Sequence, residues 1–190
     1  MMLYRDIVIT AVVKEIVPIL KEFTDEVLTE VYGQNWYEVY GRNILKNYKW
    51  FKHVERRIEV GIKPLEFMDI DSLFFLFYPY ERIKNGDHLE YKTYSGAMDV
   101  IGKYDHWSEE QIRSIRRIYT IRNGAVVSRY DQDDRALDEM YRITGKQETD
   151  WLYELEALMQ IIKPSFHLEE YRKMLAEAVM EKTYRMALCA

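Results

Sequence analysis

The sequence predicts an all-α fold, a helical bundle with short additional helices. Its 190 residues include only four prolines and eight glycines, whereas the many turns of an all-β fold consume such residues. Glu, Lys, Arg, Leu and Met, which favour helices, are common along the chain. Apolar residues also recur three and four positions apart, which is the spacing of an amphipathic helix.

Helix start and stop signals divide the chain into elements. The predicted helices cover residues 5–32, 35–60, 69–78, 108–128, 131–143, 151–162 and 165–188. Pro18 is expected to break or kink the first helix, and Gly33 to end it. Ser108 and Gln111 have the spacing of a capping box, so a helix is expected to begin there. Pro164 is expected to open the C-terminal helix.

Two segments are less regular. The apolar run from Leu73 to Phe77 fits a strand or a buried helix by its pattern, and we interpret it as a buried helix. Asn85-Gly86-Asp87 predicts a turn. Residues 88–104 have mixed character and contain two glycines.

No internal repeat, low-complexity tract or Gly/Ser linker interrupts the chain, so residues 1–190 are interpreted as a single domain. The one cysteine, Cys189, leaves no partner for an internal disulfide and no cysteine cluster for zinc. Charged residues and Pro18 interrupt the apolar stretch 7–20, which lacks the length of a membrane span. A cytoplasmic protein without a membrane contact or cofactor is therefore expected.

The formal charge of −5 argues against nucleic-acid binding over the whole surface but leaves a local basic patch open. Two such patches stand out. One is the stretch 42–63, where lysines and arginines alternate with aromatic residues in a way that suits single-stranded RNA. A solvated face of an amphipathic surface helix explains the composition of that stretch without RNA binding, and we favour this interpretation.

The second patch is the helix predicted over residues 108–128. Turning each residue through about 100° gathers four isoleucines and Tyr119 on one face and Arg113, Arg116 and Arg117 on the other. Arg122 instead projects from the isoleucine face. Burying an unpaired guanidinium costs several kcal/mol, about as much as removing one partner of a buried ion pair. Arg122 is therefore expected to meet a carboxylate, a cleft or a second subunit.

Two interpretations of Arg122 are open at this point. In the structural one, Arg122 forms a buried ion pair with an acidic residue such as Asp69 or Asp71, or extends to the helix end. In the functional one, Asn123 supports it in a polar network, and Arg129 follows two turns later beside Ser128 and Tyr130. Two guanidinium groups in one cleft suit a phosphate or an RNA backbone.

Four stretches carry a resemblance to a known family. Residues 31–36 are similar to a Tyr-Gly-x-x-Trp element, residues 69–78 to an Asp-led apolar helix, residues 112–127 to an arginine-rich helix leading into Arg-Asn, and residues 133–138 to the start of the next helix. Together they resemble the HEPN superfamily, most closely the Swt1-like HEPN domains. The resemblance spans about residues 18–162.

The resemblance implies a homodimer and a metal-independent endoribonuclease, in which an Arg-x4–6-His motif acts at the subunit interface. Histidine would serve as general acid or base, and arginine would stabilise charge on the phosphate. Here Val127 stands where the histidine is expected, and valine has no proton to transfer. His53, His88, His106 and His167 are interpreted as ordinary histidines rather than replacements. A metal pair of His167 and Glu170 has only weak support.

Two functions follow from the resemblance. The first is a catalytically degenerate HEPN-like module that dimerises through the Arg122 face. It would bind RNA, a nucleotide or a partner protein in a prokaryotic antiviral defence, toxin–antitoxin or stress setting. The alternative is an active endoribonuclease that uses Arg122 and neighbouring polar residues. In both, the candidate catalytic residues are Arg122 and Asn123, and the candidate binding residues are Arg122, Asn123, Ser128, Arg129 and Tyr130.

Overall fold

The computed structural model describes residues 4–46, 51–58, 63–78, 80–85, 88–93, 109–130 and 150–188. The helices are α1 Tyr4–Ala11, α2 Val17–Tyr32, α3 Arg42–Leu45, α4 Phe51–Ile58, α5 Pro64–Phe67, α6 Ile70–Phe77, α7 Glu109–Tyr130, α8 Trp151–Ile162 and α9 Glu169–Leu188. The fold is all-α, as predicted. One antiparallel hairpin, β1 Tyr80–Asn85 and β2 His88–Thr93, is an exception that the sequence analysis did not predict.

Contacts divide the chain into two compact units, residues 1–16 with 113–190 and residues 17–112. The interpretation of residues 1–190 as a single domain stays a prediction. In the first unit α1 packs against α9. Buried residues of this unit include Ile7, Val8, Ile115, Ile118, Trp151, Leu155 and Met159.

In the second unit α6 packs against α2 and α3. The ring of Phe23 on α2 lies 6.2 Å from that of Phe77 on α6, and the hydroxyl of Tyr40 donates to the carbonyl oxygen of Leu76 at 2.5 Å. Burying one large apolar side chain stabilises a fold by about 1.5–3 kcal/mol. These contacts therefore hold the apolar helix α6 in place.

The helix does not break at Pro18, because residues 4–32 are helical without interruption. A π-helical turn, Val12–Ile16, lies directly before α2, and Pro18 is the second residue of α2. Proline has no backbone N–H to donate, and π-helical turns are places where the regular hydrogen bonding of a helix is disturbed. The alternative of a kink at Pro18 stays a prediction. The predicted stop at Gly33 is confirmed, because Gly33 has a φ of +82° and its N–H bonds to the carbonyl oxygen of Thr29 at 2.8 Å.

The helix predicted over residues 35–60 is interrupted. A π-helical turn, Tyr37–Gly41, leads into α3, and α4 ends at Ile58. The apolar run was correctly interpreted as a helix, since α6 begins after Asp69, whose Oδ1 accepts from the N–H of Ser72 at 2.9 Å. Asn85 pairs with His88 in the ladder, and residues 86 and 87 of the predicted turn lie outside the described residues. The helix predicted over residues 131–143 lies outside the described residues.

The helix predicted over residues 165–188 was placed too early, because α9 begins at Glu169. A turn at residues 164–165 and an irregular segment at residues 166–168 precede it, and Phe166 and Leu168 are only 6% and 1% exposed. The N–H of Leu168 donates to Oε2 of Glu156 at 2.6 Å. Burial of these two apolar side chains and the bond to Glu156 favour this irregular segment over another helical turn.

Candidate functional site on the arginine helix

Helix α7 has the two faces that the sequence predicts. Ile112, Ile115, Ile118 and Ile121 are at most 1% exposed, whereas Arg113, Arg116 and Arg117 are exposed. Arg117 forms a hydrogen-bonded ion pair with Glu154 of α8. The isoleucines anchor α7, and the three arginines lie on its solvent side.

Arg122 lies on the apolar side of α7 and is half-buried. The residues before and three positions after it, Ile121 and Ala125, are fully buried. Nη1 of Arg122 donates to Oδ1 of Asn123 at 2.7 Å, and Nε of Arg122 is buried. Arg122 makes further interactions besides this bond. The guanidinium is thus held at the edge of the apolar face rather than extended freely into solvent.

Asn123 has the supporting position that the sequence analysis expected. It is half-buried, and its amide oxygen fixes one end of the guanidinium fork. A hydrogen bond to a charged donor contributes about 1.5–3 kcal/mol. Asn123 therefore restricts the directions in which Arg122 presents its remaining N–H groups.

Gly124 does not end the helix, since α7 continues without interruption to Tyr130. Ser128, Arg129 and Tyr130 consequently lie on the same helix as Arg122, although their side chains are outside the described part of the chain. Arg122 and Arg129 are seven residues apart, which corresponds to about 10 Å along the helix axis. Their grouping into one binding surface stays a prediction.

Asp69, one of the acidic residues weighed as a partner of Arg122, has a clear local role. Its Oδ1 accepts from the backbone N–H of Ser72 at 2.9 Å and from the hydroxyl of Ser72 at 2.6 Å. This carboxylate therefore caps α6. Asp71, the other residue weighed, is half-buried in the first turn of the same helix.

The histidines offer little to the Arg122 site within the residues described. His167 is exposed, and its Nδ1 lies 3.6 Å from Oε1 of Glu156. The side chains of His53 and His88, and the whole of His106, lie outside the described residues. Glu170 is exposed, and no group of three or more metal-ligating side chains occurs among the residues searched.

The second basic patch, the stretch 42–63, is largely committed to local contacts where it is described. Arg42 pairs with Glu38 and Glu55, and the guanidinium of Arg57 lies over the ring of Phe67 at 5.1 Å. Arg56 is exposed, and Lys49 and the side chain of Lys52 lie outside the described residues. The interpretation of this stretch as a solvated helix face stays a prediction.

A group of residues that the sequence analysis did not single out surrounds the ion pairs of Arg42 and includes the buried Tyr37. Its members are Tyr37, Glu38, Arg42, Glu55 and Ile58. They are up to 21 positions apart in the printed sequence, so no local motif could have indicated them. A second such group surrounds Glu156, which accepts from Arg172 and from the backbone of Leu168.

Comparison of the chain with family models, with curated proteins and with solved structures finds no match. The likeness to HEPN proteins stays a prediction. Within the described helices, none is long and apolar enough to cross a membrane.

Proposed function

We propose that this chain is a HEPN-like module that dimerises through the Arg122 face of α7 and binds RNA there without cleaving it. One observation carries the proposal: a half-buried guanidinium stands on a face whose buried members are mostly aliphatic, namely Ile112, Ile115, Ile118, Ile121 and Ala125. A plain packing face would place an apolar side chain at this position. The resemblance to HEPN proteins supplies the dimer and the type of ligand.

The local charge of α7 supports an anionic ligand. The helix contains five arginines and two glutamates, so its formal charge is +3, whereas the chain as a whole carries −5. A basic helix on an acidic protein concentrates the attraction for polyanions at one place. RNA binding would then depend on α7 rather than on the general surface charge.

The geometry at Arg122 favours recognition of phosphate. A guanidinium is a planar fork of N–H donors that matches two phosphate oxygens, and a fork held in one orientation loses less entropy on binding. Asn123 provides such a hold by accepting from Nη1 at 2.7 Å. The exposed arginines of α7 would add electrostatic attraction for RNA phosphates, but they would not hold a phosphate in a fixed orientation.

The chain lacks the motif histidine that would act as general acid or base in RNA cleavage. Val127 takes the position where the family places its histidine. Proton transfer in RNA cleavage requires a group whose pKa lies near the working pH. Neither a guanidinium nor a carboxamide serves as a general acid or base, so binding is proposed in preference to the endoribonuclease alternative.

The proposal is tested by incubating labelled single-stranded RNA with the purified chain in EDTA and resolving products and complexes on gels. The wild type is expected to shift the RNA and leave it intact. Arg122→Gln, which keeps most of the side-chain length but removes the charge, is expected to weaken the shift about tenfold. Arg56→Gln is the matched control, because Arg56 is an exposed arginine of α4, and it should bind as the wild type does.

Three results would overturn the proposal. Cleavage in EDTA that Arg122→Gln abolishes would establish the endoribonuclease alternative. Absence of a shift by the wild type would exclude RNA and leave a nucleotide or a protein as the ligand. For the dimer, the proposal expects light scattering to give a dimeric mass for the wild type and a monomeric mass for Arg122→Glu. A monomeric mass for both proteins would show that the chain does not dimerise through this face.

A further inference from the structure

Tyr153 is an exposed aromatic residue on a helix whose neighbouring positions are buried. It lies in the first turn of α8 and is 59% exposed, whereas Trp151, Leu152 and Leu155 are fully buried. A single exposed tyrosine is ordinary at a protein surface and indicates no function by itself. The residues around Tyr153 decide whether its ring has a role.

Tyr153 lies next to the residue that joins α8 to the basic side of α7. Arg117 of α7 forms a hydrogen-bonded ion pair with Glu154, and consecutive Cα atoms are about 3.8 Å apart. The backbone of Tyr153 therefore adjoins this contact. Arg117, Tyr153 and Glu154 belong to one compact unit, residues 1–16 with 113–190. An aromatic residue and the arginines of α7 are thus close together.

The ion pair leaves the positive charge of α7 accessible to solvent. The side chain of Glu154 is only 14% exposed, whereas that of Arg117 is 53% exposed. Arg113 lies one helical turn from Arg117 on the same face of α7 and is also exposed. Two guanidinium groups and one carboxylate give this part of the surface a formal charge of +1, which attracts an anion.

Arg172 of α9 restrains the ring of Tyr153. Its Cζ lies over the ring, 5.4 Å from the ring centroid, and its Nη1 forms an ion pair with Oε2 of Glu156. A cation over an aromatic face is attracted to it, and the ion pair with Glu156 holds that cation in place. With this contact formed, Tyr153 is still 59% exposed. A restrained ring loses less conformational freedom when another planar group stacks on it.

An exposed ring beside guanidinium groups suits single-stranded RNA. Every base has a planar π-face that can stack on an aromatic side chain, and a positively charged surface binds the backbone of the strand. Bases in a double helix are stacked between neighbouring base pairs, so their faces are not accessible to a side chain. The combination therefore favours an unpaired strand over a duplex.

We propose that Tyr153 stacks on one base of single-stranded RNA while Arg113 and Arg117 bind the phosphates beside that base. The inference rests on the proposed RNA binding by α7 and specifies the ligand as an unpaired strand. It uses the exposed arginines of α7, whereas Arg122 lies on the apolar side of that helix. The assignments of Tyr153 and of Arg122 can therefore be tested separately.

The test compares two labelled strands of equal length and charge by fluorescence anisotropy. One is hexaadenylate, and the other is the same ribose phosphate backbone without bases. Both strands present the same phosphates to the arginines, but only hexaadenylate can stack. The wild type is expected to bind hexaadenylate about tenfold more tightly than the abasic strand, which is the effect of stacking one base on an aromatic side chain.

Variants at Tyr153 assign this preference to the ring. Tyr153→Leu keeps an apolar side chain but removes the ring, so its affinity for hexaadenylate should fall about tenfold while its affinity for the abasic strand stays unchanged. Tyr153→Phe keeps the ring and should keep the preference. Tyr184→Leu, at a tyrosine that is 66% exposed on α9, is the matched control and should bind both strands as the wild type does. Cooperative unfolding in urea verifies that each variant is folded.

Equal affinity of the wild type for the two strands would overturn stacking by Tyr153 but leave phosphate binding by α7 in place. A preference for hexaadenylate that persists in Tyr153→Leu would also overturn it, because the base would then stack elsewhere. Absence of binding to either strand would remove the proposed function and this inference together. If Tyr153→Leu loses the preference while Arg122→Gln binds as the wild type does, stacking by Tyr153 stands and the assignment of Arg122 fails.

Discussion

Nη1 of Arg122 donates a hydrogen bond of 2.7 Å to Oδ1 of its neighbour Asn123. The two residues are adjacent on α7 and both are half-buried. This bond ties the half-buried guanidinium to the next residue of the same helix. The position and restraint of Arg122 are the features on which the proposed function depends.

Asn123→Ala should destabilise the chain by about 1 kcal/mol, because the charged donor loses its acceptor while alanine recovers part of that stability through its higher helix propensity. Urea unfolding followed by circular dichroism measures the change. Thr120→Ala is the control on the same helix, since the hydroxyl of Thr120 donates to the backbone of its own helix, at Arg116. If Asn123→Ala is as stable as Thr120→Ala, the hydrogen bond between Arg122 and Asn123 contributes nothing to the free energy of unfolding.

Gly41→Ala should destabilise the second unit by about 1–3 kcal/mol through overpacking. A Cβ atom at residue 41 would lie 2.9 Å from Cζ3 of Trp36. The ring cannot move away cheaply, because Trp36 is 4% exposed and its Nε1 donates to Oδ1 of Asp25 at 2.8 Å. Gly41→Ala combined with Trp36→Phe should relieve part of this penalty, and a thermal melt that shows Gly41→Ala to be harmless would contradict the packing.

Glu156 should contribute stability that is lost in acid. Burial alone would raise the pKa of Glu156, but hydrogen bonds from Arg172 and from the backbone of Leu168 lower it below its usual value. A lowered pKa in the folded state stabilises the chain above the unfolded value, which is about 4.3, and this contribution disappears as the pH falls through the folded value. Unfolding in urea between pH 7 and pH 3 measures it.

Glu156→Gln should lower the stability at pH 7 by about 1–3 kcal/mol, since the bonds from Arg172 and Leu168 lose their charged acceptor. The variant should also show a weaker loss of stability in acid than the wild type. Glu169→Gln is the control, because Glu169 forms an ion pair with Lys173 on an exposed face and should leave the midpoint at pH 7 unchanged. Parallel pH curves for the wild type and Glu156→Gln would contradict this role of Glu156.

Much of the fold follows from local signals. The period of apolar residues predicted the buried helices, and two chemical signals predicted helix ends: Gly33, which has a positive φ and follows α2, and Ser108, which directly precedes the first residue of α7. Each of these signals acts within a few residues of the chain. A single sequence therefore contains what is needed to predict them.

The errors arose where distant contacts decide the structure. Pro164 predicted an early start for α9, but burial of Phe166 and the bond between Leu168 and Glu156 hold the preceding segment in a non-helical conformation. The hairpin was missed although Asn85-Gly86 precedes β2, in which Leu89 and Tyr91 alternate with polar residues, because β1 shows no such alternation. The charge on the apolar face of α7 was visible in the sequence, whereas the group around the Arg42 ion pairs required the packing of two separate helical segments.

The proposed role of Arg122 is tested most directly by the salt dependence of RNA binding, measured by fluorescence anisotropy. The logarithm of the affinity falls with the logarithm of the salt concentration by about 0.7 for each phosphate of a single strand that the protein neutralises. If Arg122 binds one phosphate, Arg122→Gln should make this slope shallower by about 0.7, while Arg56→Gln should leave it unchanged. An identical slope in the wild type and in Arg122→Gln would contradict the assignment of Arg122 as the centre of the binding surface.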